Sequence, residues 1–392
     1  MIDRAAAEAL DGSDEIASWR DAFVIPDPDL VYLDGNSLGR TPKRAVAALQ
    51  QVVEQWSSDL IESWWHHDWL NLALAVGDEL APLLGASDGD VAVHESTTVG
   101  LFQQVNVALD LHEPVPGERR PVIAVDAADF PTDRYVSEGI ARLRNAEVRP
   151  GLDDLAGVDV VLRSLVDYRT AEVADLAGET RRAREAGAIT VWDLSHAAGV
   201  LELDLPAAGV DLAVGCTYKF LNGGPGAPAF VYVAPHLHDR ITQPIWGWFA
   251  QADQFAMERS FEPRPGIGRM LNGTPPVLGL SAARAGIGVT ADAGITAIAA
   301  KAKQLTGFGL DLADQFGLET VTPRDPSRRG GHVAIRHPEA RRLHTELTRR
   351  RVIVDRRDPD ILRLGMSPLT TRFTDVFDAV AVLAGLVNSS TA

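Results

Sequence analysis

Between about residues 90 and 235, short apolar runs alternate with segments whose apolar positions return every three or four residues. VIAVDA, VDVVLRSLV, AITVWDLS, LAVGCTYK and APAFVYV predict strands. RYVSEGIARLR, VADLAGETRRAREAG and SHAAGVLELD predict helices or crossovers. Strands apolar throughout, rather than on alternate positions, are covered on both faces, so the order predicts an α/β fold with a mostly parallel sheet sandwiched by helices. Ligands of such sheets sit beyond the carboxyl ends of the strands.

The flanking segments read differently. Residues 1–45 lead into the turn-rich LDGNSLGRTP, where Asp34, Gly35, Asn36 and Gly39 suit tight backbone geometry. Pro42 then opens a helix through KRAVAALQQVVEQW. After about residue 280 come a long helix (SAARAGIGVTADAGITAIAAKAKQL), GGHVAIR, the helix PEARRLHTELTRRR, VIVDRR, DILRLGMS and a final helix. The expected organisation is an N-terminal arm (1–45), a large domain (46–280) and a smaller C-terminal α+β domain (281–392).

Charge and composition narrow the partners. Acidic residues outnumber basic ones by 54 to 37, a formal charge of −17, which argues against nucleic acid or an anionic membrane surface. An anionic small ligand remains compatible, because local dipoles and a few arginines set the field in a pocket. The one cysteine, Cys216, allows no intramolecular disulfide and no Cys-rich metal site; on an apolar strand it reads as a small core residue. The charge-dotted N-terminus has no apolar leader and no run of 18 apolar residues occurs, so a cytoplasmic location is expected.

Two residues carry the chemistry. Asp193 ends the apolar strand of ITVWDLSHAAG, with His196 three residues on, and Lys219 follows the next apolar strand in LAVGCTYKFLNGGPGAP. Successive parallel strands bring their ends to one sheet edge, so both should converge on one crevice although 26 positions separate them. Pyridoxal 5′-phosphate (PLP) chemistry needs such a pair: a lysine amine for the Schiff base and a carboxylate on the pyridinium nitrogen. Taken singly, the lysine reads as a solvated group and the aspartate as a helix cap. Ser96, Thr97 and Thr98 stand at the start of a predicted helix, where free N–H groups suit a phosphate or simply a cap. Phe130, after VIAVDA, is placed to stack on a pyridine ring or to fill the core.

Other features point less sharply. His66 and His67 are adjacent on a predicted helix, point apart, and lack a third spaced ligand, so no metal is expected. Trp64, Trp65 and Trp69 suit either a core or an aromatic pocket wall. GIGRMLNG lacks the spacing of a dinucleotide fingerprint. RRAREAG and RRLHTELTRRR read as solvated helix faces.

The motifs YLDGNSLG (32–39), SWWHHDWL (63–70), STTV (96–99), DFPTDRY (129–135), WDLSHAAG (192–199), TYKFLNGGPG (217–226), GWF (247–249), LNGTPP (271–276) and LRLGMSPL (362–369) occur in one order along nearly the whole chain. In them the sequence resembles the kynureninases, PLP enzymes of the aspartate-aminotransferase-like fold (fold type I), which implies a seven-stranded type of sheet. The resemblance implies Lys219 as the Schiff-base lysine, Asp193 as the pyridinium partner, His196 beside the ring and Phe130 stacked on it. It places Thr97, Thr98, Tyr218, Trp248 and Asn272 at the phosphate, some from a neighbouring subunit of a homodimer, and Asp133 and Ser164 in the cofactor pocket. Arg363 matches the arginine that grips the substrate carboxylate, a task suited to a guanidinium fork, and Asn36 and Trp64 fall on the substrate side. Departures are Ala250 and Gln251 after GWF in place of Gly-His, Thr370 where tyrosine is common, and Gly100 for a frequent asparagine.

The implied reaction is hydrolysis of the Cβ–Cγ bond of L-kynurenine, or 3-hydroxykynurenine, to an anthranilate and L-alanine in tryptophan catabolism, on the route toward NAD. Lys219 would remove the Cα proton, with Tyr218 a candidate proton shuttle. The departures keep open a paralogue acting on a modified kynurenine in secondary metabolism, and a class V aminotransferase is a further alternative. A cysteine desulfurase needs a nucleophilic cysteine after the lysine, whereas Cys216 precedes it. From another class, a non-catalytic scaffold that kept the fold would take up no PLP.

Overall fold

The computed structural model describes residues 1–112 and 119–389. Among the described residues eleven strands form two sheets: β1 Val31–Leu33, β2 Val91–Val93, β3 Val122–Val125, β4 Glu147–Pro150, β5 Val160–Ser164, β6 Ile189–Asp193, β7 Leu212–Cys216, β8 Ala229–Val233, β9 His332–Arg336, β10 Val352–Arg357 and β11 Ile361–Gly365. The larger sheet has seven strands in the order β2-β8-β7-β6-β5-β3-β4. β4, β3, β5, β6 and β7 are mutually parallel, while β8 runs antiparallel to both β7 and β2.

Every residue of β7 (LAVGC) and β8 (AFVYV) is buried, as strands covered on both faces require. The helix Thr97–Leu111 packs on β6, β7 and β8, and the helices Lys43–Asp59 and Leu72–Leu80 pack on the helix Val277–Ala293. One continuous apolar core, from Leu72 through Trp192 to Ile287, binds this layer.

The smaller sheet is ordered β1-β10-β11-β9. β10, β11 and β9 are successive antiparallel neighbours, and β1 from the N-terminal segment joins β10 in parallel. Helices Arg4–Gly12, Ile295–Gln315, Ala340–Arg349 and Phe373–Asn388 enclose a second core that includes Leu33, Leu310, Val354 and Leu364.

One expectation is corrected. The long helix expected over 281–305 is broken at Gly294, whose φ of +83° lies outside the helical region and suits a residue without a Cβ. SHAAGVLELD, expected as a helix or crossover, lies in the crossover between the parallel strands β6 and β7, as turns. The edge strand β4 has no apolar run to announce it: Glu147 and Pro150 are exposed.

Candidate active site

The parallel pairing of β6 and β7 decides the geometry. Asp193 is the last residue of β6, in register with Ser164 of β5 and Val214 of β7, and Lys219 lies three residues past the end of β7. Both therefore reach the carboxyl edge of the sheet. Two turns fix the lysine loop. Thr217 carbonyl accepts from the Gly223 N–H at 2.8 Å, and Tyr218 carbonyl accepts from the Gly39 N–H at 2.9 Å. Gly39 is required by this approach: a Cβ there would stand 2.4 Å from the Lys219 carbonyl oxygen.

A cavity of about 210 Å³ opens at this edge, lined by Asn36, Thr97, Thr98, Phe130, Asp133, Asp193, His196, Tyr218 and Lys219 among others. Of the chain's four lysines, Lys43, Lys219, Lys301 and Lys303, only Lys219 is among that lining. Lys301 is spent on Asp14 at 2.6 Å.

Lys219 Nζ sits 3.0 Å from Nε2 of His196. Burial, followed by the lysine's positive charge, holds His196 well below the usual histidine range, so the ring is neutral and accepts from the ammonium. Asp193 Oδ1 accepts from the Ser195 N–H at 2.8 Å. Asp133 is pushed far above the carboxylate range by burial and by Asp193 and Asp129, and its Oδ2 is buried without a partner. Asp129 accepts from the Ser164 N–H at 3.0 Å, and burial pushes it up to about 8. Burial likewise raises the Tyr218 phenol.

These groups fit PLP. The cavity offers one amine, buried carboxyls for a ring nitrogen, Phe130 as an aromatic wall, and the N-terminus of the Thr97–Leu111 helix, whose cap Ser96 Oγ already accepts from the Val99 N–H. Among the described residues no cluster of three or more His, Cys, Asp or Glu side chains could hold a metal ion. His66 and His67, expected to point apart, instead meet one oxygen of Asp59 at 3.2 and 3.0 Å, because His67 already lies past the end of the short helix Ser63–His66.

Five of the expected residues stand outside the cavity lining. Ser164 lines a neighbouring polar cleft. Arg363 is fully buried and donates to the Tyr168 carbonyl at 2.6 Å, to Ser37 Oγ at 3.2 Å and to Asp355. Asn272 is buried against the Gln103 amide at 2.8 Å, while the half-exposed Trp248 donates to Thr274 Oγ1 at 3.3 Å. Trp64 packs edge-on to Trp69 at 5.7 Å and borders a separate apolar groove.

Residues 298–383 match the kynureninase C-terminal domain family. Over its whole length the chain is 40% identical to a kynureninase of Pseudomonas fluorescens, covering 97% of that protein. It is 44% identical to a kynureninase of Deinococcus radiodurans, with 99% of this chain and 97% of that protein aligned. The chain belongs to the kynureninase family. Among solved structures it is similar to a cysteine desulfurase of Thermococcus onnurineus NA1 (TM-score 0.80, 16% identical, 97% of this chain and 98% of that one). It is equally similar to a C-DES variant with glycine covalently linked to its PLP cofactor (TM-score 0.80, 16% identical, 98% and 99%). These likenesses establish the fold-type-I architecture.

The cavity lining includes residues of the motifs and others besides them. Ser37, Thr132, Ser195 and Arg357 also line the cavity. The first three lie inside quoted motifs. Arg357 ends VIVDRR, where nothing local distinguishes it from a solvated strand-end arginine. At Gly100 a Cβ would lie 2.8 Å from Val214 Cγ2 and 3.2 Å from Val231 Cγ1, so the close packing there suits glycine.

Proposed function

We propose that this chain, with PLP held at Lys219, hydrolyses the Cβ–Cγ bond of L-kynurenine or 3-hydroxykynurenine, giving an anthranilate and L-alanine. The observation that carries this is one lysine amine and the strand-end carboxylate Asp193 on the same cavity, in a chain 40–44% identical to kynureninases. Bound PLP supplies a ring that stabilises negative charge next to the substrate nitrogen. Asp193 sets the polarity of that ring, Phe130 and His196 flank it, and Thr97 and Thr98 with the helix N-terminus take the phosphate. Asp133 completes the pocket, and Ser164 supports it by holding Asp129. Lys219 moves the proton at the substrate Cα, and Tyr218 serves as the acid and base at the γ-carbonyl and Cβ. Water adds its oxygen to the γ-carbon, which leaves as the anthranilate carboxylate, and Cβ takes a proton to become the methyl of alanine.

The working form in this reading is a cytoplasmic homodimer with sites shared between subunits, divided into the arm, large domain and small domain expected from the sequence. Its support is an apolar groove of about 530 Å³ bordered by the exposed side chains Trp56, Leu60, Ile61 and Leu278. Trp248, half-exposed and outside its own chain's cavity lining, is then available to a partner's phosphate. No helix among the described residues is long and apolar enough to cross a membrane.

The test is incubation of holoprotein with L-kynurenine and 3-hydroxykynurenine separately. Fluorescent anthranilate or its hydroxylated form appearing with equimolar L-alanine supports the reading. Keto-acid-dependent amino transfer without anthranilate would overturn it in favour of an aminotransferase.

A further inference from the structure

We propose that Arg357 is a second guanidinium for the substrate α-carboxylate, acting beside Arg363. This rests on the reading above only in taking the substrate to be an α-amino acid.

The argument starts from strand geometry. Asp355 and Arg357 are two apart on β10 and so share a face, and Asp355 is in direct register with Arg363 of β11. Asp355 Oδ2 receives Arg357 Nη2 at 3.0 Å, Ser37 Oγ at 3.4 Å and Arg363 Nη2. Its Oδ1 is taken by the Arg356 N–H at 2.6 Å. One carboxylate thus bridges two guanidiniums and has no capacity left.

Both guanidiniums keep unused donors. Nε of Arg357 and Nε of Arg363 are buried with no hydrogen-bond partner, and the Arg363 side chain is wholly inaccessible. Leaving a charged donor buried and unpaired is costly, and of the two guanidiniums Arg357, with its side chain 35% exposed on the cavity wall, is the one an arriving acceptor reaches. Asp34 and Asp167 are further carboxyls near Arg363, and burial raises Asp34 above its ordinary range, which weakens it as a competing counter-ion. Arg363 falls to about 10 through burial and remains cationic at neutral pH.

Position then separates the two arginines. Arg357 lines the same cavity as Lys219, whereas Arg363 stands behind Ser37 and Asp355. An α-amino acid whose nitrogen is directed to Lys219 presents its carboxylate to Arg357 first, with Arg363 fixing the fork from behind. Planar, bidentate recognition of a carboxylate is what a guanidinium supplies and an ammonium does not.

The experiment compares R357Q and R357K holoprotein with wild type on L-kynurenine and on the amine made by decarboxylating it, reading kcat and KM and titrating both ligands against cofactor absorbance. R357Q is expected to raise KM for L-kynurenine about 30-fold with kcat within about threefold, and to weaken the decarboxylated amine less than about twofold. R357K keeps the charge without the fork and is expected to fall between, which serves as the readout should R357Q fail to retain cofactor. Titration with L-alanine gives the same comparison independently of kynurenine turnover, so failure of the proposed reaction and failure of this assignment are distinguishable. Equal weakening of the carboxylate-bearing and decarboxylated ligands, or an unchanged KM and L-alanine affinity, would overturn it.

Discussion

Lys219 and His196 come from consecutive parallel strands of one sheet, and their nitrogens meet at 3.0 Å. A neutral imidazole against an ammonium orients the amine without cancelling its charge. Replacing His196 by Ala removes that acceptor. Cofactor uptake should persist, while kcat/KM falls about tenfold to a hundredfold, the scale of one hydrogen bond to a charged group. Because burial keeps the ring neutral, the wild-type rate should show no histidine titration near pH 6.5 attributable to this residue; comparing the pH profiles of H196A and wild type checks it.

In the proposed reading Asp193 is the carboxylate that would face the ring nitrogen, on the same cavity as Lys219. Asp193→Asn keeps size and the hydrogen bond from the Ser195 N–H but removes the negative charge. Activity should drop about a thousandfold with cofactor still bound, within the range typical of a lost acid–base group. Absorbance of the purified variant and its single-turnover rate decide this together. Full activity in D193N would remove the residue from the chemistry.

Asp129 links the site to stability. Its folded-state value of about 8 lies above the ordinary carboxylate value, so the folded protein binds the proton more tightly than the unfolded chain. The contribution is fully present at low pH and is lost as pH rises toward and through 8. Asp129→Asn should abolish this slope and gain about 2 kcal/mol at pH 8.5 relative to wild type, with little difference at pH 5. Denaturant melts of holoprotein at the two pH values measure it.

Gly100 tests the packing of the phosphate-side helix. Asparagine would drive a Cβ into Val214 and Val231. Gly100→Asn should destabilise by about 1–3 kcal/mol, the cost of overpacking a close contact. Pairing it with Val214→Ala should recover part of the loss.

Much of this was legible in the chain. The mostly apolar runs of β5 to β8 predict a covered sheet, and Asp193 and Lys219 at the ends of consecutive strands predict the crevice. What escaped depended on geometry that local pattern does not carry. β1 and β2 are only three residues long, and β4 is an exposed edge strand without apolar alternation. The break at Gly294 hides inside an unbroken helical periodicity, because one positive φ leaves no trace in the neighbouring residues. Arg357 acquires meaning only through its place near Asp355 and Arg363, which the hairpin of β10 and β11 creates. Ser164, which the family resemblance puts in the cofactor pocket, gives its backbone N–H to Asp129.

The attachment point is the claim from which the chemistry follows, and four lysines make it directly measurable. Holoprotein reduced with borohydride and digested should yield a single pyridoxyl-bearing peptide containing Lys219, and Lys219→Ala should bind the cofactor without forming it. A stable adduct on Lys43, Lys301 or Lys303 in its place, or undiminished turnover in K219A, would contradict the account.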